Sequence, residues 1–525
     1  MNFFFEGPGA AQNIGQFGLL FILLFLHFPS SSLMQQLCVT PDQGQAPATQ
    51  FPRFKCHHFQ QLHGKQPRIA IVGAGITGTT LAIALTRRNI PFTVYEQSLR
   101  ATEVGAGLGI GPNAVRAMKI IDEKLFESFL RVRTPRDIRS LASKGCEVQE
   151  WKGKEEAPVW IEFLDGTSPV DARKLEPAFK VFAKAGDHLG AVQRAKWLEV
   201  LMGMVPGGVV QFGKRLEGIE QDGERVILKF EDGTMAEADA VVGCDGVKSK
   251  VREVLVGGRE MYGAKSGYSG KYAYRCMIPM ESALEVLGRE RTGVSSLWMG
   301  HGRHVLTFPL GNPGTGQLLN LVAFVTDSNQ SWPKQDSRSF TLPATREDVL
   351  RDFDEGGFSR TIQNLLRLTK DKMDKWGLFD LAVQPLPTFC SSRILIIGDA
   401  AHASTPHHGS GAGFCMEDVA VLSSLLEELV WSHDEPNHWD FESVFAALDA
   451  SRRERDQWLV QSSRRAADLY EWRLPNTGKE HFEAMRKDIE ERQVVCWGID
   501  LDKTIREAKD DLRRRRGVLT QAAAR

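Results

Sequence analysis

Arg68 to Gln97, RIAIVGAGITGTTLAIALTRRNIPFTVYEQ, is the stretch that sets the fold. Its apolar run Ile69–Val72 reads as a strand buried on both faces, as in a parallel sheet. Gly73, Gly75 and Gly78 follow in G-x-G-x-x-G spacing. A helical pattern then runs from Ile76 to about Arg88, and a second strand, Phe92 to Tyr95, ends at Glu96. Gly73 permits the tight turn out of the strand. Gly75 lets a pyrophosphate approach the backbone with no Cβ in the way, and Gly78 lets the helix pack close to the strand. The helix start offers unpaired N–H groups and the positive end of its dipole to phosphate. Glu96 comes 18 residues after Gly78, where an acid accepts from a ribose hydroxyl. A lone glycine fingerprint is weak evidence. Here strand, helix, second strand and acid fall in register, which points to a dinucleotide site rather than to a glycine-rich turn of another α/β protein.

Working outward, two further glycine-rich loops follow. Glu103 to Arg116, EVGAGLGIGPNAVR, sets Gly105, Gly107, Gly109 and Gly111 in an extended loop able to lie against a flat ligand. Pro112 then opens a helix where its missing N–H costs nothing, with Arg116 one turn in. Arg393 to Leu426, RILIIGDAAHASTPHHGSGAGFCMEDVAVLSSLL, reads as a buried strand Ile394–Ile397, then Gly398 and Asp399. A loop with Pro406, Gly409, Gly411 and Gly413 comes next, and a helix from Phe414 whose start is a second anion-friendly end. Between these loops, the strand Ala240–Val242 runs into a Gly-Cys-Asp-Gly turn. Asp245 therefore sits at the carboxyl end of a strand, where open α/β sheets bind ligands.

The remaining stretches are plainer. Val226–Phe230 with Asp232 and Gly233 reads as a hairpin. Residues 140–190 read as irregular strands and loops, with Val148–Trp151 and Trp160–Phe163 among them. A helix is expected over Ala191–Leu201. Arg194 near its start is a cation at the positive end of a dipole, which suggests an anionic partner, a solvated Arg being the alternative. Residues 257–275 look like a crossing between domains. Tyr272 to Thr326 reads as a largely antiparallel sheet with Arg275, His301, His304 and Phe308 on or between its strands. Residues 327–388 read as a polar loop and a helical stretch Arg346–Leu368, and 440–525 as helices ending in the basic run Arg513–Arg516.

Bulk properties narrow the partners. A formal net charge of −1 over 525 residues gives no field that favours nucleic acid or an anionic membrane. Hydrophobic content of 42% and charged content of 25% are those of a soluble globular protein. Eight scattered cysteines with no C-x-x-C pair argue against a disulfide framework or a zinc site. Gly18 to Phe28, GLLFILLFLHF, is apolar but for His27, short for a membrane span, and preceded by Glu6 rather than by a basic residue. It reads as an anchor or signal, as part of a disordered extension, or as a misplaced start. Residues 39–67 suit a linker. The expected location is cytoplasmic, or membrane-associated if residues 18–28 are an anchor.

Three separated motifs stand in order: the Gly73–Gly75–Gly78 fingerprint with Glu96, the C-D-G turn from Asp245 to Arg252, and GDAAH…P from Gly398 to Pro406. Together they resemble the FAD-dependent aromatic hydroxylases, the single-component flavoprotein monooxygenases, and within that group the salicylate-hydroxylase-like enzymes. GAGLGIGPNAVRAM and the closing VVCWGID look like theirs as well. The resemblance covers roughly Arg68 to Asp511 and leaves out the first 66 residues.

What the resemblance implies is an α/β fold with a Rossmann-like FAD-binding domain, an interleaved β-rich substrate domain and a C-terminal helical region. The expected division is an extension over 1–66, FAD-binding domain over 67–256 with a substrate-domain excursion near 140–190, substrate domain over 257–388, FAD-binding domain again over 389–435, and helices over 436–525. The implied activity is hydroxylation of a small phenolic or heteroaromatic substrate through a C4a-hydroperoxyflavin. FAD, O2 and transient NADH or NADPH would take part, in a setting such as fungal secondary metabolism. By position, Gly73, Gly75 and Gly78 would line the FAD pyrophosphate and Glu96 would hold the adenosine ribose. Gly109 would touch the flavin end through its backbone, Asp399 would hold the ribityl chain, and Ala412 would lie under the isoalloxazine. Asp245 would serve flavin and nicotinamide binding together. Arg194 matches an Arg that follows a His in many members, and Gln193 replaces that His here.

Arg275 aligns with an Arg that some fungal dearomatising hydroxylases use to hold a substrate phenolate; an Arg paired at the domain interface is the alternative. Those relatives carry Tyr in a Y-P-L stretch, whereas Thr307-Phe308-Pro309 stands here, which favours the salicylate-like branch. The Arg275 cation, or a base such as His301 or His304, would favour the phenolate. His402, His407 and His408 read as loop-stabilising. Two other classes remain in view. A membrane-associated FAD epoxidase acting on an isoprenoid alkene shares the three motifs. A Rossmann-type binding protein without turnover, such as a prenyl-protein escort, would not need the intact Asp245 and Asp399 motifs. A pocket without cations would favour the epoxidase, and a buried Arg275 would oppose it.

Overall fold

A six-stranded sheet takes the order Cys390–Ser391, Ile394–Ile396, Ala240–Gly243, Ile69–Val72, Phe92–Glu96, Val210–Phe212. All run parallel except the edge strand Cys390–Ser391. Ile69–Val72 is buried at every residue, which is why its sequence is an unbroken apolar run. The parallel register sets Val72 beside both Gly243 and Tyr95, and Gly243 beside Ile396. The carboxyl ends of four strands therefore share one edge, and Gly73, Glu96, Asp245 and Asp399 all emerge there. The computed structural model describes residues 66–100, 107–135, 159–184, 187, 190–311, 316–333, 340–431 and 439–523. Gly18–Phe28, Glu103–Gly105 and Val148–Trp151 lie outside them.

An eight-stranded sheet has the order Thr341–Thr345, Lys372–Asp380, Gly267–Pro279, Leu318–Thr326, Arg303–Leu310, Ser296–Gly300, Val159–Asp165, Phe179–Phe182. Its neighbours are antiparallel except Ser296–Gly300 with Val159–Asp165. Four expectations need correction. The segment 257–275 is already strand from Gly267, the region 327–388 contributes the strands Thr341–Thr345 and Lys372–Asp380, and the helix expected over Arg346–Leu368 is two helices, Arg346–Glu355 and Arg360–Leu366. The break falls at Gly356–Gly357, where Gly357 takes φ +67°, and Ser359 caps the second helix. The strand Lys372–Asp380 was hard to see because its first half is polar and partly exposed and only Gly377–Asp380 is buried. The helix expected from Ala191 begins at Arg194, because Gly190–Gln193 is a strand paired with Gly107–Ile110.

One face of this sheet packs Tyr274, Ile278, Leu319 and Leu321 against helices, with Ala283, Val349 and Ile362 in the same core. Register places Ala273, Arg275, Met277, Asn320, Val322, Phe324, His304, Leu306 and Phe308 on the other face. The helix Phe441–Tyr470 joins both layers: Phe441, Val444 and Leu448 lie in the core of the six-stranded sheet, Leu469 and Tyr470 in a cluster with Phe163 and Phe179 of the eight-stranded one. Helices Phe482–Trp497 and Leu501–Ala523 follow it. Among the described residues no helix is long and apolar enough to cross a membrane.

Candidate functional site

The fingerprint turn has the build that its spacing demands. Gly73 has φ +100°, and a Cβ there would lie 2.6 Å from the Cys244 carbonyl oxygen; a Cβ on Gly78 would lie 1.9 Å from the Gly73 carbonyl oxygen. Both positions are closed by the protein's own backbone. At Gly75 a Cβ would meet nothing within 4 Å, so open space lies outside the turn at the start of the helix Ile76–Arg87. Glu96 accepts from the Ala74 N–H at 2.7 Å and from the Ser98 N–H at 2.7 Å. Each carboxylate oxygen keeps a lone pair for a ligand hydroxyl.

Asp245 lies one strand over. Its carboxylate accepts from Ser249 Oγ at 2.5 Å and from the N–H groups of Lys250 and Val251 at 2.7 and 3.1 Å, at the start of the helix Lys250–Leu255. Burial pushes its pKa up in spite of those bonds. The Cys244 N–H donates to the Val72 carbonyl at 2.8 Å, so this turn is tied to the fingerprint turn. At the next strand end Gly398 takes φ +64° and Asp399 is exposed. A Cβ on Gly398 would lie 2.5 Å from Thr77 Oγ1 and 3.2 Å from Cys415 Sγ, so the strand end, the fingerprint helix and the helix Gly411–Trp431 converge at that point.

Beside that point lies a buried ionic network that sequence reading missed. Asp418 accepts from the Gly398 N–H at 3.0 Å, lies 2.7 Å from His402 Nε2 and accepts from Arg452 Nε at 2.9 Å. Arg452 also donates to Glu417 at 2.7 Å and to Asp456 at 2.6 Å. Glu417 accepts from Arg455 and, at 2.7 Å, from Asn113 Nδ2. Burial would lower the His402 pKa, but the carboxylates Asp456 and Asp418 more than offset it and raise it to about 9. The signal was present: Glu417-Asp418 is a charged pair inside the apolar run FCMEDVAVL.

The two glycine-rich loops meet the second sheet. Gly109 pairs opposite Ala191; the Gly107 N–H donates to Asn320 Oδ1 at 3.3 Å, and a Cβ on Gly107 would lie 2.6 Å from the Phe308 ring. Gly413 is closed by Asn113 Nδ2 at 2.7 Å, which holds the half-buried Ala412 beside the start of the helix Pro112–Ile121. Arg194 opens its helix, and its charge reaches Arg275. Burial first, then Arg194, push the Arg275 pKa down to about 10, so Arg275 stays a cation at neutral pH. Its guanidinium lies 5.3 Å from the Trp376 ring, its Nε has no hydrogen-bond partner, and no carboxylate pairs with it among the described residues. An anion-accepting turn at one end of this edge and a glycine-lined bed at the other suit a long dinucleotide with a flat end group.

The histidines divide. His301 is exposed and packs edge-on to Trp472 at 5.0 Å. His402 is bonded through Nε2 to Asp418, its Nδ1 being without a partner among the described residues, and His408 is bonded to Ser462 Oγ at 2.8 Å. His304 is buried, with Nδ1 3.1 Å from Glu471. His407 departs from the loop-stabilising expectation: it is buried, and neither ring nitrogen has a partner among the described residues.

A family profile described as an FAD binding domain matches residues 67–436. The FAD-dependent monooxygenase pigN of Monascus ruber is 37% identical over 85% of this chain and 97% of that relative. The salicylate hydroxylase asL1 of Sarocladium schorii is 36% identical over 85% of this chain and 91% of that relative. A solved salicylate hydroxylase substrate complex superposes with a TM-score of 0.68 at 27% identity, covering 84% of this chain and 98% of that one.

Proposed function

The chain belongs to the FAD-binding domain family and is an FAD-dependent monooxygenase of the salicylate hydroxylase type, and from that premise we propose that it hydroxylates a small phenolic or heteroaromatic substrate held as its anion by Arg275. The observation that carries this reading is the Arg275 guanidinium, half-buried, still cationic and without a carboxylate partner among the described residues. It shares a sheet face with Phe308 and Asn320, on which the Gly107 loop rests. An aromatic ring is more nucleophilic as the phenolate, and a neighbouring cation lowers the hydroxyl pKa.

Bound FAD, reduced by NADH or NADPH, would supply the activation of O2, from which the transferred oxygen atom would come. The chain's residues bind and orient it. Gly73, Gly75 and Gly78 admit the pyrophosphate to the helix start, Glu96 takes a ribose hydroxyl, and Asp399 takes the ribityl chain. Gly109 and Ala412 present backbone to the ring. Asp245 holds the neighbouring turn for flavin and nicotinamide, and Arg194 adds positive charge near Arg275. Leu306, Phe308, Val322 and Phe324 make an apolar wall that keeps water from the reaction. In domain terms, 67–256 and 389–435 carry the cofactor and 257–388 the substrate. The fungal relatives suit a place in secondary metabolism.

The epoxidase reading is disfavoured by Arg275, because an alkene offers nothing for a half-buried, unpaired cation to hold. The test is the visible spectrum of the purified protein, followed by NADH and NADPH oxidation with and without a panel of phenolic acids. A flavin spectrum, oxidation accelerated by an aromatic and a product with one added oxygen are expected. A flavin spectrum with no acceleration by any aromatic would move the assignment to the epoxidase.

A further inference from the structure

The eight-stranded sheet carries a second opening of ligand size, on the face turned away from Arg275. Tyr272, Val325 and Arg303 lie side by side on three neighbouring strands and line its floor. They alternate along those strands with Ala273, Phe324 and His304, which face the other way. Asp352 and Glu355, from the helix Arg346–Glu355 that packs on this face, line the cleft as well. Trp332, Lys375 and Arg473 close its sides. The cleft holds about 430 Å3, within the size range of small-molecule sites.

The apolar part of the lining is aromatic. The Tyr272 and Trp332 rings are 6.4 Å apart, and Trp332 Nε1 is buried with no partner among the described residues. The formal charges of the lining balance, with Arg303, Lys375 and Arg473 against Asp327, Asp352 and Glu355. Their commitments do not. Asp327 accepts from the Tyr268 hydroxyl at 3.2 Å and from the N–H groups of Asn329 and Ser331 at 3.0 and 3.3 Å. Asp352 accepts from the Tyr272 and Tyr274 hydroxyls at 2.8 and 2.7 Å. The cations are held more loosely. Lys375 Nζ lies 4.5 Å from the centre of the Tyr272 ring and pairs with no carboxylate among the described residues. Arg303 meets Glu355 only at 3.5 Å, and its Nε has no partner. Acids already answered and cations left over, beside two aromatic rings, suit an anion on a flat ring and not a metal or an amine.

We propose that this cleft is a second binding site, for an aromatic carboxylate whose ring lies against Tyr272 and Trp332 and whose charge is held by Arg303 and Lys375. A guanidinium fork matches the two oxygens of a carboxylate, and the Lys375 ammonium adds a point charge beside it. The rings supply the flat apolar contact. The ligand binds without covalent change, on the opposite face of the sheet from the one on which the Gly107 loop rests. The site stands whether or not Arg275 holds the substrate.

The test is equilibrium dialysis of the full-length holoenzyme against benzoate, salicylate, 4-hydroxybenzoate and nicotinate in turn, with the flavin spectrum recorded alongside. Wild type should take up one equivalent of at least one of these acids without a change in the flavin spectrum, and Arg275→Met should retain it. Arg303→Gln and Lys375→Met should each weaken that equivalent by about tenfold or more, as should replacing the acid by its uncharged amide. Lys375→Met keeps the apolar stem beside Tyr272, so it reads the charge even if Arg303→Gln does not fold. No silent equivalent with any of the four acids would overturn the site. So would undiminished binding in Lys375→Met, or an amide that binds as well as its acid. Loss of every bound equivalent in Arg275→Met would overturn the cleft and leave the substrate reading standing. A silent equivalent kept in Arg275→Met, with the flavin-perturbing equivalent unchanged as well, would support the cleft and remove Arg275 from the substrate.

Discussion

At Gly75 and Gly78 the same added methyl should do opposite things. A Cβ on Gly75 meets nothing in the protein, so Gly75→Ala should melt within a few degrees of wild type yet bind FAD at least tenfold more weakly, because the methyl stands where the pyrophosphate approaches. A Cβ on Gly78 falls 1.9 Å from the Gly73 carbonyl oxygen, so Gly78→Ala should cost folded protein itself. Thermal melts beside an FAD fluorescence titration separate the two, and equal losses of stability would refute the distinction. Arg275 bears on the substrate in the same local way. Hydrogen bonds to a charged group contribute about 1.5–3 kcal/mol, so Arg275→Met should weaken binding of the phenolic acid by about 10–100-fold. It should also divert NAD(P)H use to H2O2. Unchanged affinity and unchanged coupling would remove Arg275 from the site.

The helix Gly411–Trp431, whose start is proposed to meet the flavin, is itself held in place by buried charges. Its first turn presents Ala412, and one turn further Glu417 and Asp418 point into the buried network with His402, Arg452 and Asp456. Arg452→Met would leave three buried carboxylates short of a partner, a loss of about 3–5 kcal/mol in a denaturation midpoint series. His402 gives the network a pH signature. Its folded pKa of about 9 lies above an unfolded value of about 6.5, so the folded state holds the proton more tightly. The stabilisation is complete below about pH 6.5 and is lost as pH rises through about 9. Melting temperature should therefore fall across that window in wild type and fall less in His402→Asn; identical slopes would show that His402 does not titrate there. The glycines, Asp399 and the anion-friendly helix start were legible because each acts within a few residues of its neighbours in sequence. Arg452, which joins Asp418 to Asp456, was not, because it comes from a helix more than thirty residues on, and nothing local marks which polar residues of that helix turn inward.

At the scale of the molecule the chain crosses between two sheets several times, and the proposed substrate site draws on both where Gly107 meets Phe308. The six-stranded sheet was readable strand by strand, since parallel strands buried on both faces are short apolar runs. The eight-stranded sheet was readable only in its middle. Lys372–Asp380 lies near an edge, its first half is polar, and pairing with Gly267–Pro279 rather than local pattern makes it a strand. The seam itself had no local signal: Phe308 was weighed for the hydroxyl it lacks, whereas in the fold its ring is the floor on which Gly107 rests. That contact couples the layers and can be measured. Gly107→Ala drives a methyl to within 2.6 Å of the Phe308 ring and should lift the loop from the sheet, admitting water to the chamber. FAD should remain bound through the distant fingerprint turn, while the share of NAD(P)H oxidation that ends in hydroxylated product falls severalfold and H2O2 rises. Phe308→Leu makes room for the methyl, so the double variant should recover coupling that Gly107→Ala loses, a non-additivity that only a direct contact produces. If the two substitutions instead add independently, the glycine loop and the substrate sheet do not bear on each other, and the chamber must be sealed by some other contact.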